Sequence, residues 1–284
     1  MDSQRHPCFS TSCQPKAGRL HLPVSPFCNI FCRFCRRGIS QSEELPGNAM
    51  TVMSPGDALG VVGTALRLCP DIRVVGVAGP GEPLAGPEAL DALGLVKREH
   101  PGLIACLSTN GLMLEASMER LLAAGVEALT VTINALDPET LQRINRGVLS
   151  EGVFVGGVKG QGILIAAQER GIKAAAKNSM TIKVNSVLVP GVNDRHIPEI
   201  ARRAKEWGAS MLNVIPLIPS RGLKSARAPS PEEYARVSEE AGRHLPVKGN
   251  CRRCRADACG VPGVSDYSRE VYGPIAFAGT FSHG

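Results

Sequence analysis

The chain has 284 residues, 43% hydrophobic and 20% charged, enough for one sizeable core. No apolar run is long enough to cross a bilayer, and the opening MDSQRHPCFSTSCQPK lacks the apolar centre of a secretory signal. A net charge of +6 spread along the chain is too weak an asymmetry to argue nucleic-acid binding, and an aromatic content of only 4% disfavours a base-stacking surface. The expectation is a cytoplasmic protein with no nucleic-acid and no membrane partner.

Residues 1–18 show no hydrophobic period and hold Cys8 and Cys13; they read as an irregular N-terminal extension. The strand-like RLHLPV (19–24) leads into PFCNIFCRFCRR, where Cys28, Cys32 and Cys35 are spaced C-x3-C-x2-C. SPGDALGVVGTALRL, with cap-like Ser54 ahead of Pro55, predicts a helix, and RVVGVA (73–78) predicts a second strand running into GPGEP. In GPEALDALGLVKREH, Leu90, Leu93 and Val96 lie at helical spacing. LIACLS (103–108) predicts a third strand ending in STNG, and SMERLLAAG a helix that stops at Gly125. ALTVTIN (128–134) predicts the fourth strand, with Asn134 at its end. Helices are expected near 137–146 and 162–177, and the glycine-rich EGVFVGGVKGQG (151–162) between them reads as a loop without a phosphate-cradle pattern. TIKVNSVLV (181–189) and MLNVIPL (211–217) complete six strands, with helices near 195–208 and 230–243. Residues 245–284, rich in Cys, Pro, Gly and Arg, fall outside the rhythm.

Strands alternating with helices imply parallel βα units with right-handed crossovers. Six of them predict an α/β fold, a partial (β/α)6 barrel over 19–244 with Cys-bearing extensions at 1–18 and 245–284. A flat doubly wound sheet is the alternative that periodicity does not separate. In both, chemistry gathers at the carboxyl ends of the strands, where the cysteine triplet, GPGEP, STNG, Asn134, PGVND and PLIPS all fall.

Ten cysteines in a chain read as cytoplasmic point to metal binding or catalysis and away from disulfides. Three closely spaced thiols suit zinc or an iron–sulfur cluster. A structural zinc site recruits a fourth ligand, whereas a four-iron cluster on three cysteines leaves one iron open to a small molecule. Cys251 and Cys254, the C-x2-C pair of NCRRCRADACG, need a third ligand, and Cys8 in HPCFS is the candidate; zinc or unpaired thiols are the alternatives. Cys69 and Cys259 read as small buried side chains, and His21, inside the first strand, as a core histidine. Arg33, Arg36, Arg37, Arg252, Arg253 and Arg255 crowd the two cysteine motifs, as solvated surface or as charge compensation.

The triplet's spacing after the first strand of a βα barrel resembles the radical S-adenosylmethionine (SAM) superfamily. The ordered set HPCFS, RLHLPVSPFCNIFCRFC, VAGPGEPLAGPE, LSTNGL, TVTINALDPET, IKVNSVLVPGVND, NVIPLIP and CRRCRADA, from about residue 6 to 272, resembles its NifB family of nitrogenase cofactor maturases. The resemblance implies a radical SAM barrel with a catalytic 4Fe–4S cluster on Cys28, Cys32 and Cys35. Its open iron would chelate SAM, whose reductive cleavage releases a 5′-deoxyadenosyl radical. Gly79 and Gly81 would let backbone approach the methionine moiety, with Glu82 placed to meet its ammonium. Ser108, Thr109, Asn110, Asn134, Asn185 and Ser186 would share that rim, although each singly reads as a capping or turn residue.

One or two accessory 4Fe–4S clusters are also implied: one on Cys8, Cys251 and Cys254, and a second on Cys106 with Cys13 as substitute ligand. The second site departs from the family pattern. Gln14 stands at the histidine position, and RRGISQSEELPG, after the triplet, contains no cysteine. The implied activity is synthesis of the iron–sulfur–carbide precursor of the nitrogenase cofactor by methyl transfer, hydrogen abstraction and cluster fusion. Implied partners are iron–sulfur cluster donor proteins, cofactor acceptor proteins and a reductant. A NifB-like enzyme with another substrate, and a non-catalytic iron–sulfur scaffold or carrier, are the other readings.

Overall fold

A computed structural model of the chain describes residues 6–9, 17–40, 43, 45–248 and 254–275. The first strand, β1 (Gly18–His21), is followed by three short ones, β2 (Ile30–Cys32), β3 (Gly38–Ile39) and β4 (Asn48–Ala49). Helix α1 (Ala58–Leu68), β5 (Ile72–Val77), α2 (Glu88–Glu99), β6 (Ile104–Thr109), α3 (Met118–Ala123) and β7 (Val126–Thr132) come next. The chain continues through α4 (Pro138–Leu141), the hairpin β8 (Asn145–Ser150) and β9 (Val153–Gly156), and the long α5 (Gly157–Lys177). It ends with β10 (Thr181–Leu188), α6 (His196–Trp207), β11 (Met211–Pro216), α7 (Pro231–Gly242), β12 (Cys259–Gly260) and α8 (Ser268–Tyr272).

The main sheet has the order β11-β10-β7-β6-β5-β1-β12, parallel throughout except for β12, which runs antiparallel to β1. Each successive long strand is added at the same edge. With right-handed crossovers this places every connecting helix on one face, and the bare face curls inward. A doubly wound sheet reverses its strand order midway, which this one does not, so the fold is the curled half-barrel.

The alternation of side chains shows both faces. Leu20, Val75, Leu107, Leu129, Ile182 and Leu212 belong to the large core beneath the helices. The intervening positions Arg19, His21, Gly76, Cys106, Thr130, Lys183, Asn185 and Asn213 line the concave face. Helix α6 follows the matching rule: Ile197, Ile200, Ala201, Ala204 and Trp207 are buried on one stripe, and Gly208 ends it at φ 105°.

Two local expectations differ. The glycine-rich 151–162 is not a loop: it holds β9 and the first turns of α5. The segment 137–146 is helical only over Pro138–Leu141 before turning into β8. Both differences have one cause. Strands β2, β8 and β9 form a small separate sheet, with Ile30 opposite Val148 and Cys32 opposite Asn145, so the cysteine loop recruits this stretch as its partner.

The C-terminal extension closes on the barrel. Strand β12 pairs with β1, and the Tyr272 hydroxyl donates to the His21 carbonyl. Arg255 ion-pairs with Asp257 at 2.8 Å and donates to the carbonyls of Ser40 and Glu43, pinning the loop after the triplet. No described helix is long and apolar enough to cross a membrane.

Candidate functional site

Cys28, Cys32 and Cys35 lie where β1 gives way to β2, at the carboxyl end of the barrel. The pairing of β2 with β8 shapes this loop: Phe31 N–H donates to Asn145 Oδ1 (3.0 Å), and Asn145 Nδ2 in turn donates to buried Gln161 on α5 (3.0 Å). All three thiols are partly buried and unbridged, and Cys28 and Cys32 pack against Ile30, Val148 and Leu164. Burial is the first cause that pushes all three thiols above the usual cysteine range. For Cys32 the neighbouring thiols add to it, whereas Arg37 works in the opposite direction at Cys28 and Cys35. Among the described residues no three His, Cys, Asp or Glu side chains converge on a single ion. Three crowded, desolvated thiols fit the donor set that a four-iron cluster with one open iron would need.

The next two motifs are bonded to this loop. Gly81 approaches it so closely that a Cβ there would stand 2.0 Å from the Phe27 carbonyl oxygen. That contact lets Gly81 N–H donate to Ser25 O and Glu82 N–H to Phe27 O, both at 2.6 Å. Gly79 has φ 127°, a conformation that favours glycine. The Glu82 carboxylate is 5% exposed; it accepts from Thr109 Oγ1 (2.5 Å), Leu84 N–H (3.1 Å) and Asn110 N–H (2.7 Å). Burial outweighs these three hydrogen bonds and raises its pKa to about 7. No cation pairs with it among the described residues, so an incoming ammonium fits the one charge the site lacks. Asn110 Nδ2 donates to Asn29 Oδ1 (2.7 Å), beside Cys28. Gln168 on α5 donates to Asn110 O (2.7 Å) and Thr132 O (2.9 Å). Asn29, Asn145, Gln161 and Gln168 escaped the sequence reading because single amides at those positions carry no spacing signal.

The other rim residues divide. Ser108 is half-buried on the concave face of β6. Asn134 Oδ1 accepts from Val187 N–H (2.9 Å) and Ser186 Oγ donates to Ile133 O (2.6 Å), so both join β7 to β10. Buried Asn193, which was not singled out, completes that join through Asn134 O and Val187 O. Asn185 faces the lumen, where its Oδ1 accepts from Asn213 Nδ2 (3.1 Å).

A second group lies on the concave face of the sheet, at the last residue of β1, the penultimate residue of β5 and the third residue of β6. The register aligns His21, Gly76 and Cys106 across β1, β5 and β6. A Cβ on Gly76 would meet Cys106 Sγ at 2.5 Å and His21 Cδ2 at 3.6 Å, so thiol and imidazole flank the space that glycine leaves. His21 Nδ1 lies 3.0 Å from Arg255 O, a carbonyl that only accepts, which leaves Nε2 with the lone pair. Burial, with Arg19 nearby, lowers its pKa to about 4, so the ring is neutral. His21 is thus a buried core histidine, as expected, with its unprotonated Nε2 on the side of the space that Gly76 leaves beside Cys106.

The stretch His6–Phe9 inserts against the same chamber. Lys183 Nζ donates to Cys8 O (3.4 Å), Lys248 Nζ donates to Pro7 O (3.1 Å), and Arg19 Nη2 lies 3.5 Å from Cys254 Sγ. Cys8 raises the Cys106 thiol electrostatically, second to burial. Two buried polar atoms here have no partner, His6 Nε2 and Arg19 Nε. Cys8, Cys106 and Cys254 thus share one chamber whose thiols and orphaned donors fit an iron–sulfur cluster. Cys13, Gln14, Cys251, Arg252 and Arg253 lie outside the described residues. Cys69 and Cys259 are buried in the main core.

Residues 22–204 match the family model of the radical SAM superfamily. The chain is 41% identical over 258 residues to the FeMo cofactor biosynthesis protein NifB of Methanocaldococcus jannaschii, spanning 90% of this chain and 86% of that one. It is 39% identical to the protein of that name from Methanocaldococcus infernus, over 94% of this chain and 89% of that one. With the Azotobacter vinelandii NifB it shares 35% identity over 92% of its own length and 53% of the relative's. Among solved structures, the fold is similar to anSMEcpe with bound AdoMet (TM-score 0.56, 18% identity, 81% of this chain and 63% of that one). It is also similar to a radical SAM methyltransferase from Sphaerobacter thermophilus (TM-score 0.54, 21% identity, 81% and 64%).

Proposed function

Because the chain belongs to the radical SAM superfamily and, within it, to the NifB family, we propose that it is a maturase of nitrogenase cofactor biosynthesis, assembling the iron–sulfur–carbide precursor from SAM and two four-iron clusters. The observation that carries this reading is one continuous hydrogen-bonded path from Asn29 in the cysteine loop, through Asn110, to Glu82. It gathers the three thiols, the GPGE turn and the STNG segment into one site. When bound, the cluster and SAM supply methyl transfer and a carbon radical that abstracts hydrogen.

The protein's own groups do the rest. Cys28, Cys32 and Cys35 hold the cluster, the anionic form of Glu82 draws the SAM ammonium, and Ser108 and Asn185 line the way inward. Cys8 and Cys254, with Cys251, hold one substrate cluster. Cys106 and His21 hold the other, although Cys13 was the expected companion of Cys106. The buried Asn134, Ser186 and Asn193 keep β7 and β10 in register beneath the site. Cluster donor proteins, a cofactor acceptor protein and a one-electron reductant are the partners this chemistry requires.

The test is anaerobic reconstitution with iron and sulfide counted, followed by spectra of the reduced protein with and without SAM. At about four irons per cluster, about twelve irons with a SAM-dependent change is the expected result. About eight, with the same response, means one accessory cluster and a different or externally supplied substrate. No SAM response overturns the enzyme reading in favour of a scaffold.

A further inference from the structure

Two cations in the lumen are buried without an ion pair among the described residues, although Asp266 acts electrostatically on Arg19, behind Cys254 and Cys8. Arg19 is 9% exposed: Nη1 donates to Gly260 O (2.7 Å), Nη2 lies 3.5 Å from Cys254 Sγ, and Nε has no acceptor. Lys183 is 4% exposed; its Nζ reaches Cys8 O only at 3.4 Å and sits 5.2 Å from the centre of the Phe9 ring. Neither joins an ion pair among the described residues, whereas the similarly buried Arg255 has Asp257. A buried charge without a counter-charge opposes folding, and neutral thiols and carbonyls compensate it poorly. Three thiols surround these cations. Cys254 and Cys8 act electrostatically on Arg19, Lys183 donates to the Cys8 carbonyl, and Lys183 acts on Cys106.

We propose that Arg19 and Lys183 are the counter-charge of an iron–sulfur cluster carried in this chamber, positioning residues that hold the cluster electrostatically and favour its reduction. A four-iron core ligated by thiolates is net anionic and gains a further negative charge on reduction, so nearby cations strengthen retention and raise the potential. Around Cys106, where the family's thiol set is incomplete, this electrostatic hold supplements the missing ligands. The inference rests on the proposal that the chain carries accessory clusters.

The two states give opposite signs, and that makes the test decisive. In the metal-free protein, Lys183→Met removes an unpaired buried charge and should raise Tm. In the reconstituted protein the same change should speed removal of accessory iron by a chelator at least ten-fold and lower the accessory reduction potential. Lys183→Arg should restore both. Arg19→Gln, read in the same way, serves if Lys183→Met does not fold. Equal iron release and equal potential in wild type, Lys183→Met and Lys183→Arg overturn the inference, and a lowered metal-free Tm alongside them would make Lys183 a structural side chain. The SAM-dependent spectral change of the cluster on Cys28, Cys32 and Cys35 is recorded in parallel. Its loss in wild type overturns the enzyme reading, while the chelator result still decides the role of the cations.

Discussion

Replacing Glu82 with glutamine keeps the shape of the side chain and removes its ionisation, which separates what the carboxylate does for the fold from what it does for SAM. Burial raises its pKa from 4.5 to about 7. Between those values the folded protein holds a proton that the unfolded chain has released, so stability falls as pH rises and levels off above about 7. At about 1.4 kcal/mol per pH unit, the gap between 4.5 and about 7 amounts to about 3 kcal/mol against the folded state at pH 8. Glutamine carries no such penalty. Its amide faces the N–H groups of Leu84 and Asn110 as an imperfect acceptor, but the protonated wild-type acid has the same defect, so the comparison across pH cancels it. Urea denaturation of the metal-free proteins should therefore show the difference between Glu82→Gln and wild type moving in the variant's favour by about 2–3 kcal/mol from pH 5 to pH 8. SAM affinity of the reconstituted variant should fall at the same time, because the ammonium has lost its anion. A pH-independent difference, or a swing toward wild type, would show that the three hydrogen bonds outweigh burial and would refute the reasoning.

Gly81→Ala puts a methyl group 2.0 Å from the Phe27 carbonyl, which backbone cannot accommodate; a loss of about 3 kcal/mol or outright misfolding is expected in denaturant titrations. Asn29→Ala leaves the Asn110 amide without its acceptor and should cost about 1–3 kcal/mol by the same assay, with weaker SAM binding as the two motifs separate. Because burial holds the thiols of Cys28, Cys32 and Cys35 protonated, the thiolate fraction climbs with pH. Cluster assembly followed by absorbance should accelerate from pH 7 to pH 9, and a flat profile would show that the thiols are already ionised.

The primary sequence by itself determined the six long strands, the helices that cover them and the motif at the end of each. These signals are local: apolar periodicity, a capping serine, a stop glycine, and the i, i+4, i+7 spacing of Cys28, Cys32 and Cys35. Strands β8 (NRGVLS) and β9 (VFVG) were illegible, since these stretches lack an alternating apolar run and become strands because β8 pairs with the cysteine loop and β9 with β8. Whether the sheet curls or lies flat was likewise open until the strand order was seen, because both topologies bury the same pattern. The second chamber belongs wholly to the tertiary structure. His21, Gly76 and Cys106 are separated by dozens of residues in the chain and meet only through parallel register, and Cys8 and Cys254 arrive from opposite ends. Sequence spacing reports ligands that share a turn; ligands, counter-charges and orphaned donors drawn from different strands become visible only when the sheet brings them to one wall.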